Sequence, residues 1–273
     1  MVPPPLLPHR PRVVGVHRTA GTLREVEPAA AGGEASVGEE APVRWRCLAA
    51  GIFAAWALGF VLPGTFAWFL AAIPHEMGHA TVGCLLGRPS APAISLAGHA
   101  WTGIGERRDW LVWVIAIVFA AAAYVQRERL HLCIPLALVA IVAPIVAFGR
   151  AGEILIAAGG HVGELVFAAY CYGICWSGGR TGTPAERGAG AMAGALLQHG
   201  NISLCWGLMR DAAARHHYAS SGSLGMKNDY LVLAEDLCHC GLGKVAGIML
   251  AASVMALPLG LWWGVRQERH REV

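Results

Sequence analysis

Charge is scarce in this chain. Asp, Glu, Lys and Arg make up 14% of its 273 residues, and 55% of the residues are apolar; an ordinary soluble domain carries about 25% charge. With so few charges the chain cannot clothe a globule in a polar shell. Its mean hydropathy of +0.49 and its long apolar runs indicate a multi-pass membrane protein instead. Lysine is nearly missing, with Lys227 and Lys244 the only two. The formal net charge is only +3, and no basic stripe is interleaved with aromatics. A nucleic-acid partner is therefore excluded. Paired C-x-x-C spacing is also lacking. The eight cysteines lie at 47, 84, 133, 171, 175, 205, 238 and 240. Cys171 and Cys175 are four apart, and Cys238-His239-Cys240 is a tight cluster, but neither is a zinc ribbon. They read as buried or interfacial thiols, with no disulfide framework. Nothing resembles a signal peptide, because the basic residues near the start do not lead into an apolar core with a cleavage site. No internal repeat is visible.

What is present is a series of apolar segments behind a polar tail. Residues 1–44 are rich in Pro, Gly, Ala and Glu and read as a disordered N-terminal tail. Residues 45–273 read as one membrane-embedded unit, an all-α polytopic helix bundle of about six spans. The spans are placed at about 47–62, 65–86, 110–125, 131–148, 153–176 and 245–265, each near the ~20 residues that cross a bilayer. Pro63-Gly64 marks a turn between the first two. In the polar connector 88–109, Ala93-Ile-Ser-Leu-Ala97 suits a short extended edge. Segment 177–243 reads as interfacial or re-entrant helices at Ala191–Leu197 and Ile202–Arg215, with Asn228-Asp229 as the cap of Tyr230–Leu237. Arginines near both ends place both termini inside. The expected setting is the lipid bilayer of the cell membrane.

The second span carries His75-Glu76-Met77-Gly78-His79. On a helix, His-Glu-x-x-His puts two imidazoles on one face with a carboxylate beside them. Such a set suits Zn²⁺ with a carboxylate base next to its water. Two imidazoles and a carboxylate inside hydrocarbon are costly unless paired or coordinated, so the apolar flanks strengthen the motif. Pro74, just before His75, suits a bent helix beside a polar cavity.

A catalytic zinc needs three protein ligands and one open position. His75 and His79 supply two. For the third, the fifth span offers Glu164, or else His161, three apart and on one side of the helix. Gly159, Gly160 and Gly163 around them would let two membrane helices approach closely. Glu76 is expected as the general base rather than a ligand. Among the other polar residues, Glu153 reads as interfacial and His199 as solvated. Asp229 and Asp236 read as cap or solvated face, and His99 and His131 as loop residues.

These residues resemble the site-2 protease family of intramembrane zinc metalloproteases. The likeness rests on His75-Glu76-Met77-Gly78-His79-Ala80 in an apolar span and the following Leu85-Leu86-Gly87. The stretch Ile94-Ser-Leu-Ala-Gly98 and the further span after Arg107-Arg108 add to it. It covers about residues 60–125. The resemblance implies a helical membrane bundle, zinc on His75 and His79, and Glu76 as base. It also implies hydrolysis of peptide bonds of a membrane protein or peptide within or near the bilayer. The Asn-Pro-x-Pro…Leu-Asp-Gly segment that supplies that family's third ligand is lacking here. A Glu ligand at His161-Val-Gly-Glu164 would be similar to the CAAX prenyl protease type. Two rivals stand beside this reading. One is a membrane di-iron desaturase or hydroxylase, for which Arg215-His216-His217 is too incomplete a histidine box. The other is a non-enzymatic transporter or assembly factor with a buried polar cluster.

Overall fold

The computed structural model describes residues 37–61, 64–95, 98–179, 182–221 and 227–269. Their order is helix α1 (Val37–Val61), α2 (Gly64–Leu85), hairpin strands β1 (Ser90–Ser95) and β2 (His99–Ile104), α3 (Asp109–Val125), α4 (Leu130–Ala147) and α5 (Arg150–Ser177). Then come α6 (Pro184–Arg210), α7 (Ala212–Ser220) and the single turn α8 (Asp229–Leu231), which runs into a π-helical turn over Val232–Leu237, and finally α9 (Leu242–Arg269).

Among the described residues, four helices are long and apolar enough to cross a membrane: the Ala41–Val61 part of α1, α4, α5 and α9. Helix α3 has 17 residues and is shorter. The apolar run of α2 is interrupted by His75, Glu76 and His79. The outer faces carry Phe53, Phe60, Ile117, Ile145, Val166 and Ile248, all exposed. A soluble protein would hide such side chains, whereas a bilayer accepts them.

Helix α5 is the centre of the bundle, in contact with α2, α6 and α9. Its glycines permit this. A Cβ at Gly163 would strike the Pro74 carbonyl, and one at Gly78 would strike the Gly159 carbonyl. Without water to drive apolar surfaces together, membrane helices gain from such close backbone contact. A second layer of packing joins Ala168, Cys205, Leu208, Tyr230, Ala234 and Ala246 in one core cluster. That cluster fastens α8 and the π turn to α5, α6 and α9.

Several boundaries differ from the sequence reading. Helix α1 begins at Val37, inside the expected tail, because Glu-Glu-Ala before Pro42 has high helix propensity. Residues 1–36, Pro63 and residues 96–97 lie outside the described residues. The all-α class omits the hairpin. Strand β1 pairs antiparallel with β2 from Ser90↔Ile104 to Ser95↔His99. The unforeseen partner, His-Ala-Trp-Thr-Gly-Ile, has the Trp, Thr and Ile content that suits a strand. His99 is therefore on β2 and His131 in the first turn of α4, not in loops.

The largest departure is α6. In place of two short helices there is one helix of 27 residues. Thr183 caps it by accepting from the Glu186 amide at 3.2 Å, and Pro184 opens it. The gap expected at 198–201 is helical too, and a Cβ at Gly194 would press on the Ala168 carbonyl and Tyr172 ring. The glycine serves close packing on α5. Helix α6 ends at Arg210, where extended Asp211 caps α7 through the Ala213 amide at 2.8 Å.

Candidate metal centre

One turn of helix separates His75 from His79 on α2, and their Nε2 atoms lie 3.2 Å apart. The other nitrogen of each ring is engaged. His75 Nδ1 donates to Glu164 Oε1 at 2.5 Å. His79 Nδ1 donates to the Ile156 carbonyl at 2.7 Å. Both acceptors come from α5. A proton held on Nδ1 leaves the Nε2 lone pair facing outward, which is how metal-binding histidines are oriented. Backbone proximity is essential here. A Cβ at Gly160 would strike both Nε2 atoms, so only glycine leaves room at that point.

Asp229 meets the same point from α8. Its Oδ2 lies 2.9 Å from His75 Nε2 and 3.1 Å from His79 Nε2. Burial works to raise the Asp229 carboxyl, but hydrogen bonds from the His75 and His79 rings in their protonated form outweigh it and hold it below the ordinary carboxylate range. Three electron-rich atoms thus converge, and a cation, proton or metal, must lie among them. Ligand atoms about 2.0–2.1 Å from a tetrahedral Zn²⁺ stand about 3.3–3.4 Å from each other. The separations of 3.2, 2.9 and 3.1 Å are close to that triangle. Two imidazoles and a carboxylate are a donor set that zinc accepts once the rings give up the proton at Nε2.

Glu164 and His161, expected as alternatives for the third ligand, stand behind this triangle. Glu164 sits at Nδ1 of His75, on the side of the ring away from Nε2. Its second oxygen, Oε2, accepts from Asn201 Nδ2, and Asn201 Oδ1 accepts from His161 Nδ1 at 3.1 Å. His161, Glu164 and Asn201 are all buried, and each has a partner. A closed network of this kind holds side chains in one arrangement. His75, His161 and Glu164 also form a compact group. That group leaves out His79, and the Nδ1 atoms of His75 and His161 are already committed to hydrogen bonds. His161 Nε2 lies 3.9 Å from Asp229 Oδ2, beyond hydrogen-bond range.

Asp229 is held from both sides. Tyr230 is fully buried and its ring lies 4.2 Å from that of His161. Asn228 Nδ2 donates to the Tyr218 carbonyl at 2.5 Å. The π-helical turn that follows is a rare geometry frequent at functional sites.

Glu76 is buried on α2, one residue after His75. Its Oε2 accepts from Thr102 Oγ1 of β2 at 2.6 Å. Glu76, both histidines, Thr102 and Asp229 line one cavity of about 480 Å³. Trp68, Ala71, Trp101, Leu204 and Tyr218 give it apolar walls. Its size falls in the range of ligand sites, about 300–1,000 Å³.

The structure thus brings together His75, Glu76, His79, His161 and Glu164, as the sequence indicated. Glu153 is exposed, 3.7 Å from Arg88, and His199 is exposed on α6. Asp236 pairs with Lys227 at 2.8 Å on the surface. Asp229, Asn201 and Thr102 were missed as site residues. Asn201 had a readable signal. It lies four residues after Leu197 and four before Cys205, both buried, on the apolar side of α6. Asp229 had a weaker one, as an acid leading directly into Tyr-Leu-Val-Leu-Ala. Thr102 had none. No protein-family model matches the chain, and neither a curated protein nor a solved structure does.

Proposed function

We propose that this chain is a membrane-embedded zinc metalloprotease in which His75, His79 and Asp229 hold the metal and Glu76 is the general base. Asp229 takes the role for which Glu164 and His161 were the expected candidates. The observation that carries the reading is the convergence of His75 Nε2, His79 Nε2 and Asp229 Oδ2 within 3.2 Å of one another. An aspartate from a later segment also fits the resemblance to site-2 proteases better than a glutamate does.

When bound, the zinc acts as a Lewis acid that brings a water towards a pKa of about 7 and polarises a carbonyl. The protein's own groups do the rest. Glu76 accepts the proton of the attacking water while the water oxygen bonds to the peptide carbonyl carbon. As the C–N bond breaks, Glu76 returns that proton to the departing amine nitrogen. Glu164 and the Ile156 carbonyl keep both imidazoles turned so that Nε2 faces the reaction. The apolar walls exclude bulk water and so strengthen these charges.

A peptide substrate is favoured by β2. Ala100, Thr102 and Ile104, alternate residues on one face of the strand, line the cavity together with Trp101. Among the described residues β2 pairs with β1 alone, and an extended peptide can add to such an edge.

The test is cleavage of fluorescein-labelled casein by the detergent-purified protein. Cleavage should stop on zinc chelation and return on addition of about one equivalent of zinc. A folded protein that binds one zinc yet leaves casein and a labelled single-span peptide intact would end the protease reading while sparing the metal site.

A further inference from the structure

Resting on the protease reading, we propose that Thr102 is the positioning residue for the Glu76 carboxylate, so that the hairpin sets the aim of the base. The Thr102 hydroxyl has one proton and two acceptors within reach, both on Glu76. Oε2 lies at 2.6 Å and the backbone carbonyl at 3.0 Å. The shorter distance falls in the range of a hydroxyl donating to an ionised carboxylate, about 2.5–2.7 Å. The proton therefore goes to Oε2. Fixing one carboxylate oxygen fixes the plane of the group, and Oε1 is left to meet water in the cavity. Among the described residues no other side chain holds the Glu76 carboxylate.

The hydroxyl itself is on a firm support. The Gly105 amide donates to the Pro89 carbonyl at 2.8 Å, and the Arg108 amide to the Gly87 carbonyl at 2.9 Å. These bonds clamp the base of the hairpin to the end of α2. Thr102 faces Pro92 across the ladder. A long Glu side chain is thus held by a short rigid one, and the loss of orientation in a base is felt in the reacting geometry. Thr102 lies on the strand that lines the cavity, so the strand that would receive a peptide also aligns the base.

The experiment measures zinc content and the affinity of leucyl hydroxamate. A hydroxamate chelates zinc and gives a hydrogen bond to an adjacent carboxylate, so its binding reads the aim of Glu76 without turnover. Thr102→Val should weaken binding about tenfold, as for loss of a hydrogen bond to a charged group. Thr102→Ser should stay within about threefold of wild type, and all three proteins should carry equal zinc. In a Glu76→Ala background, Thr102→Val should have no further effect, because the residue acts through Glu76. Wild-type affinity in Thr102→Val would overturn the proposal. So would an equal loss in the Glu76→Ala background, or a loss of zinc that Thr102→Ser shares, since either makes Thr102 a mere tether. Wild type that takes up no zinc would overturn the metal reading itself, and this proposal with it.

Discussion

Asp229→Ala should leave the protein folded and without its metal, whereas Glu164→Ala should keep the metal at reduced affinity. The difference follows from which nitrogen each acid meets. Asp229 faces both Nε2 atoms, at 2.9 and 3.1 Å, and its loss leaves two ligands where a catalytic zinc needs three. Glu164 faces Nδ1 of His75. Its loss frees the ring to turn and strips a partner from Asn201, but it removes no atom from the triangle. Groups that orient a ligand are worth about 10–100-fold in metal affinity, so competition with a chelator of known affinity separates the two variants. Asp229→Ala should fall far below Glu164→Ala. The reverse order would return the third ligand to Glu164. Asp229 is near the surface end of α8 and partly accessible, so the variant should fold. Glu164 is buried in the centre of the bundle, so helicity and thermal stability are measured beside the metal.

Glu76→Gln should retain the zinc and lose hydrolysis. Gln has the shape of Glu and can still accept from Thr102 at Oε1, so the fold around it is kept. It cannot take a proton from water at neutral pH, and general base catalysis is worth about 10²–10⁴-fold. A fall in turnover of at least ~10² is expected, with zinc content unchanged. The pair of measurements is informative because each residue of the motif should fail differently. Loss of both zinc and activity in Glu76→Gln would make Glu76 a ligand. Full activity would remove it from the chemistry altogether.

The parts of this arrangement that could be read from the sequence are those encoded locally. Helix periodicity puts His75, Glu76 and His79 on one turn whatever the rest of the chain does. The apolar runs mark α3, α4, α5 and α9 to within a few residues. Gly159, Gly160 and Gly163 announce a close approach of α5 to α2, and the structure uses Gly163 and Gly160 for that. Asp229 was not legible for the opposite reason. It sits on a three-residue helix whose place is set by Tyr230 and Ala234 packing into a core built by α5, α6 and α9. No local pattern reports that. Taken by itself, Asn228-Asp229 has the appearance of a helix cap, and in the structure Asn228 does hold the cap position. In α6 the expected gap at 198–201 is helical, because propensity is a weak guide where tertiary contacts decide. The hairpin was half legible, since the β1 segment stood out and its partner did not.

The most direct test of the central claim is zinc K-edge X-ray absorption on the detergent-purified wild-type protein, with the zinc-to-protein ratio measured on the same sample. The account predicts one zinc per chain. Its inner ligands should be two imidazole nitrogens and light oxygen donors at about 2.0–2.2 Å, with no sulfur at about 2.3 Å. A folded protein that holds no zinc when zinc is supplied, or a zinc held by cysteine sulfur, would contradict it.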